Sequence, residues 1–381
     1  MIWIKGGNIH NAIVEEAFQA DILIENGTLA AIGTDLQIPD EAEVIDATGK
    51  EIYPGFVEAH GHIGLSGYGM GDAGGDVNEK NDIVCPHLRG IDAIKPTLPT
   101  FEKAAKAGVT TVCTGPGSAN VIGGTFVAIK TVGKRVDDMV IRDGVAMKCA
   151  FGENPKNAYK SKKDCSRMTT AAILRETLFK AREYLRKKEA AGDDLSKYPA
   201  FDMKLEAMIP VMKREIPLKA HAHSAEDIFT ALRIAKEFDL KITLEHVTEG
   251  HLIVEELAKE NVPLAVGPSM CNASKIELRN MDWSTAGVLA AAGCQVSIIT
   301  DSPVTRQEYL PLCAGMAVKA GMDPFKALQA ITINPARHIG IEDRVGSLEV
   351  GKDADIVITD GCPFEVLTTV ETVLIDGKKV V

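Results

Sequence analysis

Six short runs in the middle of the sequence, VTTVCTG, GVAMKCAFG, PLKAHAH, KITLEHV, VPLAVG and CQVSIITD, are close to continuously apolar and alternate with stretches of helical spacing. A strand apolar on both faces is covered on both sides, and helical segments between such strands serve as crossovers that keep the strands parallel. One intervening helix is predicted to start at Ser224, where Ser-Ala-Glu-Asp offers an N-cap with an acid three residues on, followed by Ile228, Leu232, Ala235 and Phe238 on one face. Another is predicted from about Thr170 to Ala191, with Leu174, Leu178 and Leu185 on one stripe. Strands beginning near 217, 240 and 263 recur at the length of a βα unit, with no repeated sequence. A chain of 381 residues can hold a barrel of roughly 250 residues and an accessory module.

The two ends read differently. WIKGGNIHN, ADILIENGTLAAIG and AEVIDATG are short strand-like runs, with Asn26-Gly27 a hairpin turn signal, and GSLEVGKDADIVITDG and TVLIDGKKVV have the same character. The expected architecture is therefore an α/β fold. A TIM-type (β/α)8 barrel over residues 54–344 carries a small β-sandwich domain built from residues 1–53 and 345–381.

Composition narrows the function. A net charge of -11 argues against a nucleic-acid or anionic-membrane partner, either of which calls for a basic face. No apolar run reaches the ~18 residues of a membrane span, and the first residues lack the order of a signal peptide, so a cytoplasmic protein is expected. The eight cysteines, at 85, 113, 149, 165, 271, 294, 313 and 362, form no C-x-x-C pair and suggest reduced thiols. A small-molecule substrate is the expected partner, with self-association into a homo-oligomer left open.

Five of the nine histidines, His60, His62, His221, His223 and His246, fall at the ends of apolar runs. That is the C-terminal edge where α/β barrels keep their active sites. In FVEAHGH, His60 and His62 are two apart on a strand and can present both imidazoles to one ion. Two further runs end in KAHAH and TLEHV, and a fourth ends in IITD at Asp301. A lone H-x-H matches by chance often, whereas four such endings at one rim point to a metal-bearing site.

These motifs resemble the amidohydrolase superfamily. PGFVEAHGH is similar to its opening motif, the runs ending at His221 and His246 to its strand-5 and strand-6 ligands, and Thr300-Asp301 to its strand-8 aspartate. GSLEVGKDADIVI resembles the re-entry into the β domain, in imidazolonepropionase-like members especially. The resemblance spans essentially the whole chain. It implies a metal-dependent hydrolase acting on amide or cyclic-amide C–N bonds, with Asp301 as general base and acid.

For the fourth strand, MKCAFGENP offers Glu153 just past the run and Lys148 inside it. Glu153 is preferred, because an unmodified ammonium cannot ligate, and Lys148 becomes a ligand only if carbamylated. His60, His62, His221, His246, Glu153 and Asp301 are the expected ligands of one or two divalent ions. Zinc is the default, and iron or manganese is compatible with mixed nitrogen and oxygen donors. His223 could be a third ligand, but is assigned to substrate polarisation or to support behind the ligands, and Lys275 or Arg279, after strand 7, to an anionic substrate group. His10, His87, His251 and His338 are read as structural, and the glycine-rich segment 115–124 as a loop near substrate. The alternatives are a deaminase on the same scaffold, disfavoured by HAHSAED after strand 5, and a non-catalytic binding or assembly protein, disfavoured by the full ligand set.

Overall fold

The buried carboxylate of Glu58 holds the seam of a barrel. One of its oxygens, Oε2, accepts from the Thr300 amide at 3.0 Å, the Thr300 hydroxyl at 2.6 Å and Gln307 Nε2 at 2.8 Å. Oε1 takes the His60 amide at 3.1 Å. Burial raises the Glu58 pKa to about 7 against the lowering pull of these four donors.

The chain is described by a computed structural model over residues 1–67, 74–160 and 166–381. The barrel sheet has eight strands, hydrogen-bonded in chain order. Barrel strands 1 to 4 are Phe56–Gly61, Val109–Thr114, Ile122–Lys130 and Val140–Ala150. Strands 5 to 8 are Leu218–Ala222, Ile242–His246, Leu264–Val266 and Val296–Ile298. Strands 1 and 2 pair in parallel, as do 4 through 8, whereas strand 3 runs antiparallel to both neighbours. Strand 3 is missing from the sequence reading because its first residues belong to the glycine-rich segment. Gly124 has φ +112 and sits where a Cβ would lie 2.4 Å from the Leu88 carbonyl, so glycine here serves a close approach within a strand.

Ser224 caps the helix Ala225–Phe238 by accepting from the Asp227 amide, and Ile228, Leu232, Ala235 and Phe238 are all buried, as the spacing predicts. The helix Arg167–Ala191 starts earlier than predicted, at a capping box of Ser166 and Thr169, and buries Leu174, Leu178 and Ala181 while Leu185 is half-exposed. A short helix, Ile333–His338, packs on strands 1, 7 and 8 at the N-terminal end of the barrel. No helix among the described residues is long and apolar enough to cross a membrane.

Strands from both chain ends form the second sheet. Its order is 378–379, 370–375, 356–359, 51–54, 2–9, 18–25 and 28–33, with 43–46 pairing beside 2–9. The ends meet where Ile356–Thr359 runs antiparallel to Glu51–Pro54. Ile4, Ile22 and Leu29 share a core with Ile356, Ile358 and Leu374. Asn26 and Gly27 both have positive φ, the geometry their hairpin requires.

Sheet and barrel are pinned at Lys130, the last residue of strand 3. Its ammonium lies 2.7 Å from Asp355, 2.9 Å from Asp353 and 3.0 Å from Asp376. Arg344 adds a two-pronged contact to Asp353 at 2.9 and 2.8 Å. Burial opposes the Lys130 charge, yet the three carboxylates raise its pKa overall. Removing one partner of a buried ion pair leaves uncompensated charge, so Lys130→Met is expected to lose about 3–5 kcal/mol, read from the urea midpoint. Burial also raises the Asp353 pKa, but Arg344 and Lys130 outweigh it and hold it low. Its stabilisation is therefore complete above the ordinary carboxylate value of 3.8 and lost as pH falls through the lower folded value. Acid unfolding of the Lys130 variant is expected to begin at higher pH than that of the parent.

Candidate metal centre

Imidazoles at the C-terminal ends of the barrel strands are each held at one nitrogen, which directs the other inward. His62 Nδ1 donates to the Gly115 carbonyl at 2.7 Å, and His246 Nδ1 to that of Gly267 at 2.9 Å. His221 Nδ1 meets the Ser118 hydroxyl at 2.8 Å and His223 Nδ1 that of Thr248 at 2.7 Å. His60 Nδ1 lies 3.1 Å from Glu245 Oε2. Anchors of this kind fix the ring orientation and, where a carbonyl accepts, the tautomer with a free Nε2 lone pair.

The inward atoms form two groups. His60, His62 and Asp301 make one, and His221, His223 and His246 the other, with the donor atoms inside each group within 4.8 Å of one another. Asp301 Oδ1 is 3.2 Å from His62 Nε2 and 3.7 Å from His60 Nε2. Burial, followed by the surrounding positive charges, keeps His60, His221 and His223 well below the ordinary imidazole pKa, and burial lowers His246 to about 4 against the upward pull of Asp301. The rings are thus neutral, the form that ligates. His221 Nε2 and His246 Nε2 are buried without a hydrogen-bond partner. Converging lone pairs with no proton between them are unfavourable unless a cation is present, so the donor set fits a divalent metal. Burial would raise Asp301, but His246, His62 and His60 outweigh it and hold its carboxyl below the usual range.

Two of these residues reach the centre only through unusual backbone. Thr243 and Glu245 share one side of strand 6, so His246, the next residue, belongs to the other side by simple alternation. His246 has φ +78 and Asp301 φ +50, left-handed conformations that swing the side chains round.

Lys148, on strand 4, is fully buried, with Nζ 3.2 Å from His60 Nε2. Burial lowers its pKa to about 8, although Asp301 and Glu245 pull it upward. Glu153, the residue preferred from sequence, is elsewhere. It starts the helix Glu153–Tyr159, is half-buried, and its amide donates to Glu277 Oε2 at 2.9 Å. The preference is corrected accordingly: Glu153 is not among the donor atoms that converge in the two groups, whereas Lys148 Nζ stands beside one of them.

Glu277 was not singled out from sequence. Its side chain is buried, with Oε1 3.9 Å from both His221 Nε2 and His223 Nε2 and 2.7 Å from Lys275 Nζ. Nothing in SKIELRN distinguishes this acid from its solvated neighbours. Lys275 Nζ also donates to Asn154 Oδ1 at 2.8 Å and lines a cavity of about 640 Å³ above His62, His221, His223 and Asp301. Gly117 and Ser118 of the glycine-rich segment line the same cavity. Arg279 does not; it is exposed in a separate pocket with Glu249. Of the histidines read as structural, His10 bonds Glu51 at 2.5 Å and His251 bonds Thr285 at 2.9 Å.

The sequence matches the amidohydrolase family over residues 52–380. The chain belongs to the amidohydrolase family. Members of this family are generally metal-dependent, and the two donor groups fit that. The chain is 38% identical to an amidohydrolase from Thermotoga maritima MSB8, whose crystal structure superposes with a TM-score of 0.96 over 100% of both chains. It is 27% identical to the amidohydrolase tasK of Hapsidospora irregularis, over 94% of this chain and 39% of that one. An imidazolonepropionase of Geobacillus sp. (strain WCH70) is 26% identical over 89% of this chain and 83% of its own. The chain thus spans well under half the length of tasK.

Purified protein is expected to carry about one to two equivalents of a first-row divalent metal, removable by chelation. His60→Ala combined with His62→Ala is expected to abolish most of it, measured by elemental analysis, because two donors on one strand disappear together.

Proposed function

We propose that this amidohydrolase cleaves an amide or cyclic-amide C–N bond of a small polar substrate at a two-ion centre. His60, His62 and Asp301 would hold one ion and His221 with His246 the other. Lys148, carboxylated at Nζ, would lie between them. Zinc is the proposed metal, and the nitrogen and oxygen donors also suit iron or manganese.

The position of Lys148 carries the reading. An unmodified ammonium 3.2 Å from His60 Nε2 repels any ion bound there. A pKa near 8 leaves a usable share of free amine at neutral pH. That amine can attack carbon dioxide. The N–C bond forms, one C=O π pair moves onto oxygen, and the nitrogen releases a proton, leaving a carbamate anion with two oxygen donors. The same side chain would then offer oxygen donors to the ions in place of a repelling charge.

When bound, the ions supply Lewis acidity and lower the pKa of water toward ~7. Asp301 accepts the attacking water's proton and returns it to the leaving nitrogen, the role for which an ionised carboxylate beside the donor cluster is placed. His223, turned inward by Thr248, hydrogen-bonds the substrate oxygen as negative charge develops there. Lys275, held by Asn154 and Glu277, presents a cation to an acidic group on the substrate. A non-catalytic binding role is disfavoured because every donor of both groups is retained.

Turnover of a library of cyclic amides, N-acyl amino acids and dipeptides by the metal-loaded protein tests the reaction class, and turnover of none of them would set the reading aside. Asp301→Asn is expected to keep its fold and most bound metal while activity falls by ~10² to 10⁴, and the acidic limb of kcat/KM is expected to change. Near-normal turnover in that variant moves the base role elsewhere. Intact-mass analysis under carbon dioxide is expected to show the carbamate, absent in Lys148→Met. An unmodified Lys148 in a crystal of the metal-loaded protein contradicts the bridge.

A further inference from the structure

Among the inward-facing imidazoles, His60 is anchored differently from the rest. His62 and His246 lean on carbonyl oxygens and His221 and His223 on hydroxyls, all neutral partners. Behind His60 stands a carboxylate, with Glu245 Oε2 3.1 Å from Nδ1 and both side chains fully buried. The contact is short but off the direction of a well-formed hydrogen bond, and neither atom has another hydrogen-bond partner. The Phe126 ring packs against His60 with centroids 5.2 Å apart and offers no lone pair. A buried N–H without an acceptor is costly, so Glu245 is the group on which the Nδ1 proton depends.

The carboxylate is itself fastened by the frame of the barrel. The Thr243 hydroxyl donates to Oε1 at 2.6 Å, His338 Nε2 lies 2.9 Å from the same oxygen, and Lys219 Nζ lies 2.9 Å from Oε2. The backbone supplies a second, independent observation. Successive residues of a regular strand face opposite sides, yet Glu245 reaches His60 and the next residue, His246, joins the other donor group. The left-handed φ of +78 at His246 is what brings both side chains inside. Strand 6 thereby serves both donor groups, one with a ligand and the other with a support. A purely structural ion pair needs only Lys219 and Glu245, and it accounts for neither the His60 contact nor the turned backbone.

We infer that Glu245 is a positioning residue for the metal centre. Its carboxylate accepts the Nδ1–H of His60, fixes the tautomer whose Nε2 lone pair faces the ion, and sets a negative charge behind that ligand. The contact at the other nitrogen agrees, since Lys148 Nζ, an N–H donor 3.2 Å from Nε2, meets a lone pair there. The inference rests on the reading of His60 as a ligand and holds whichever substrate the centre turns over.

Zinc affinity of the full, metal-loaded chain, read by competition with a chelator, tests it. Glu245→Leu with Lys219→Met removes the carboxylate and its buried counter-ion together, so that no unpaired charge is left in the barrel. This first double variant is expected to hold at least one zinc about 10–100-fold more weakly than the parent. Glu245→Gln with Lys219→Met restores an oxygen that can accept from Nδ1 and is expected to recover most of the loss. Thr243→Val removes a neighbour of Glu245 without touching the His60 contact and is expected to bind zinc as the parent does. In NMR of the zinc-loaded parent with labelled histidine, His60 is expected to give a slowly exchanging, downfield Nδ1–H that is absent from His60→Gln and from the first double variant. That signal decides the matter if the double variant does not fold. Zinc affinity within about threefold of the parent in the first double variant, no recovery with glutamine, an equal loss in Thr243→Val, or no such Nδ1–H in the parent each overturns the proposal. Zinc retained by His60→Ala with His62→Ala sinks the metal-centre reading and this inference with it, whereas loss there but not in the first double variant sinks this inference alone.

Discussion

A lysine ammonium buried among lone pairs sets the terms for the rest of the barrel interior. Lys148 contributes positive charge where six donor groups also call for a cation, and burial, the largest influence on it, outweighs Asp301 and Glu245 to lower its pKa to about 8. Below it the conflict is managed differently. Lys219, equally buried, has Glu245 at 2.9 Å, and Glu245 is shared with His338 and His60. One interior lysine is thus paired with a neighbouring carboxylate, whereas the other feels Asp301 and Glu245 but has no carboxylate oxygen within 4.0 Å of its Nζ among the described residues. This asymmetry separates a structural ion pair from a group available for chemistry.

The outline of this arrangement is legible in the sequence where periodicity and chemistry coincide. His60 and His62 are two apart on a strand, His221 ends another, and Ser224 opens a helix, so local rules place them correctly. Local rules fail where the backbone departs from its period. His246 and Asp301 could be located as strand-end residues, but their left-handed φ, which turns them inward, leaves no mark in composition. Strand 3 hides in a glycine-rich segment because its glycines serve close backbone approach, and a loop reads the same way. Glu153 and Lys148 are five residues apart, and only the start of a helix between them decides which faces the centre. Glu277, Ser118 and Thr248 act at the site through tertiary contacts alone.

A run of buried polar groups crosses the otherwise apolar interior between the two barrel ends. From His338 through Glu245 to His60, buried groups stand about 3 Å apart, running from the helix Ile333–His338 to a candidate metal ligand. Glu245, in the middle, also receives the Thr243 hydroxyl and lies beside Lys219. It supports the inward ring of His60 from behind, as Gly115 and Gly267 do for its neighbours.

Because the strand Glu51–Pro54 finds its partner in Ile356–Thr359, about three hundred residues later, the order of synthesis is written into the topology. At roughly 5–20 residues per second, a ribosome takes on the order of 15 to 60 s to traverse that interval. Throughout it the amino-terminal strands present an open edge, and Lys130 lacks all three of its carboxylates. Barrel strands 1 to 8 can all emerge before either need is met. The nascent chain therefore passes through a state in which every barrel strand has emerged while the amino-terminal hairpins rely on their own marginal pairing.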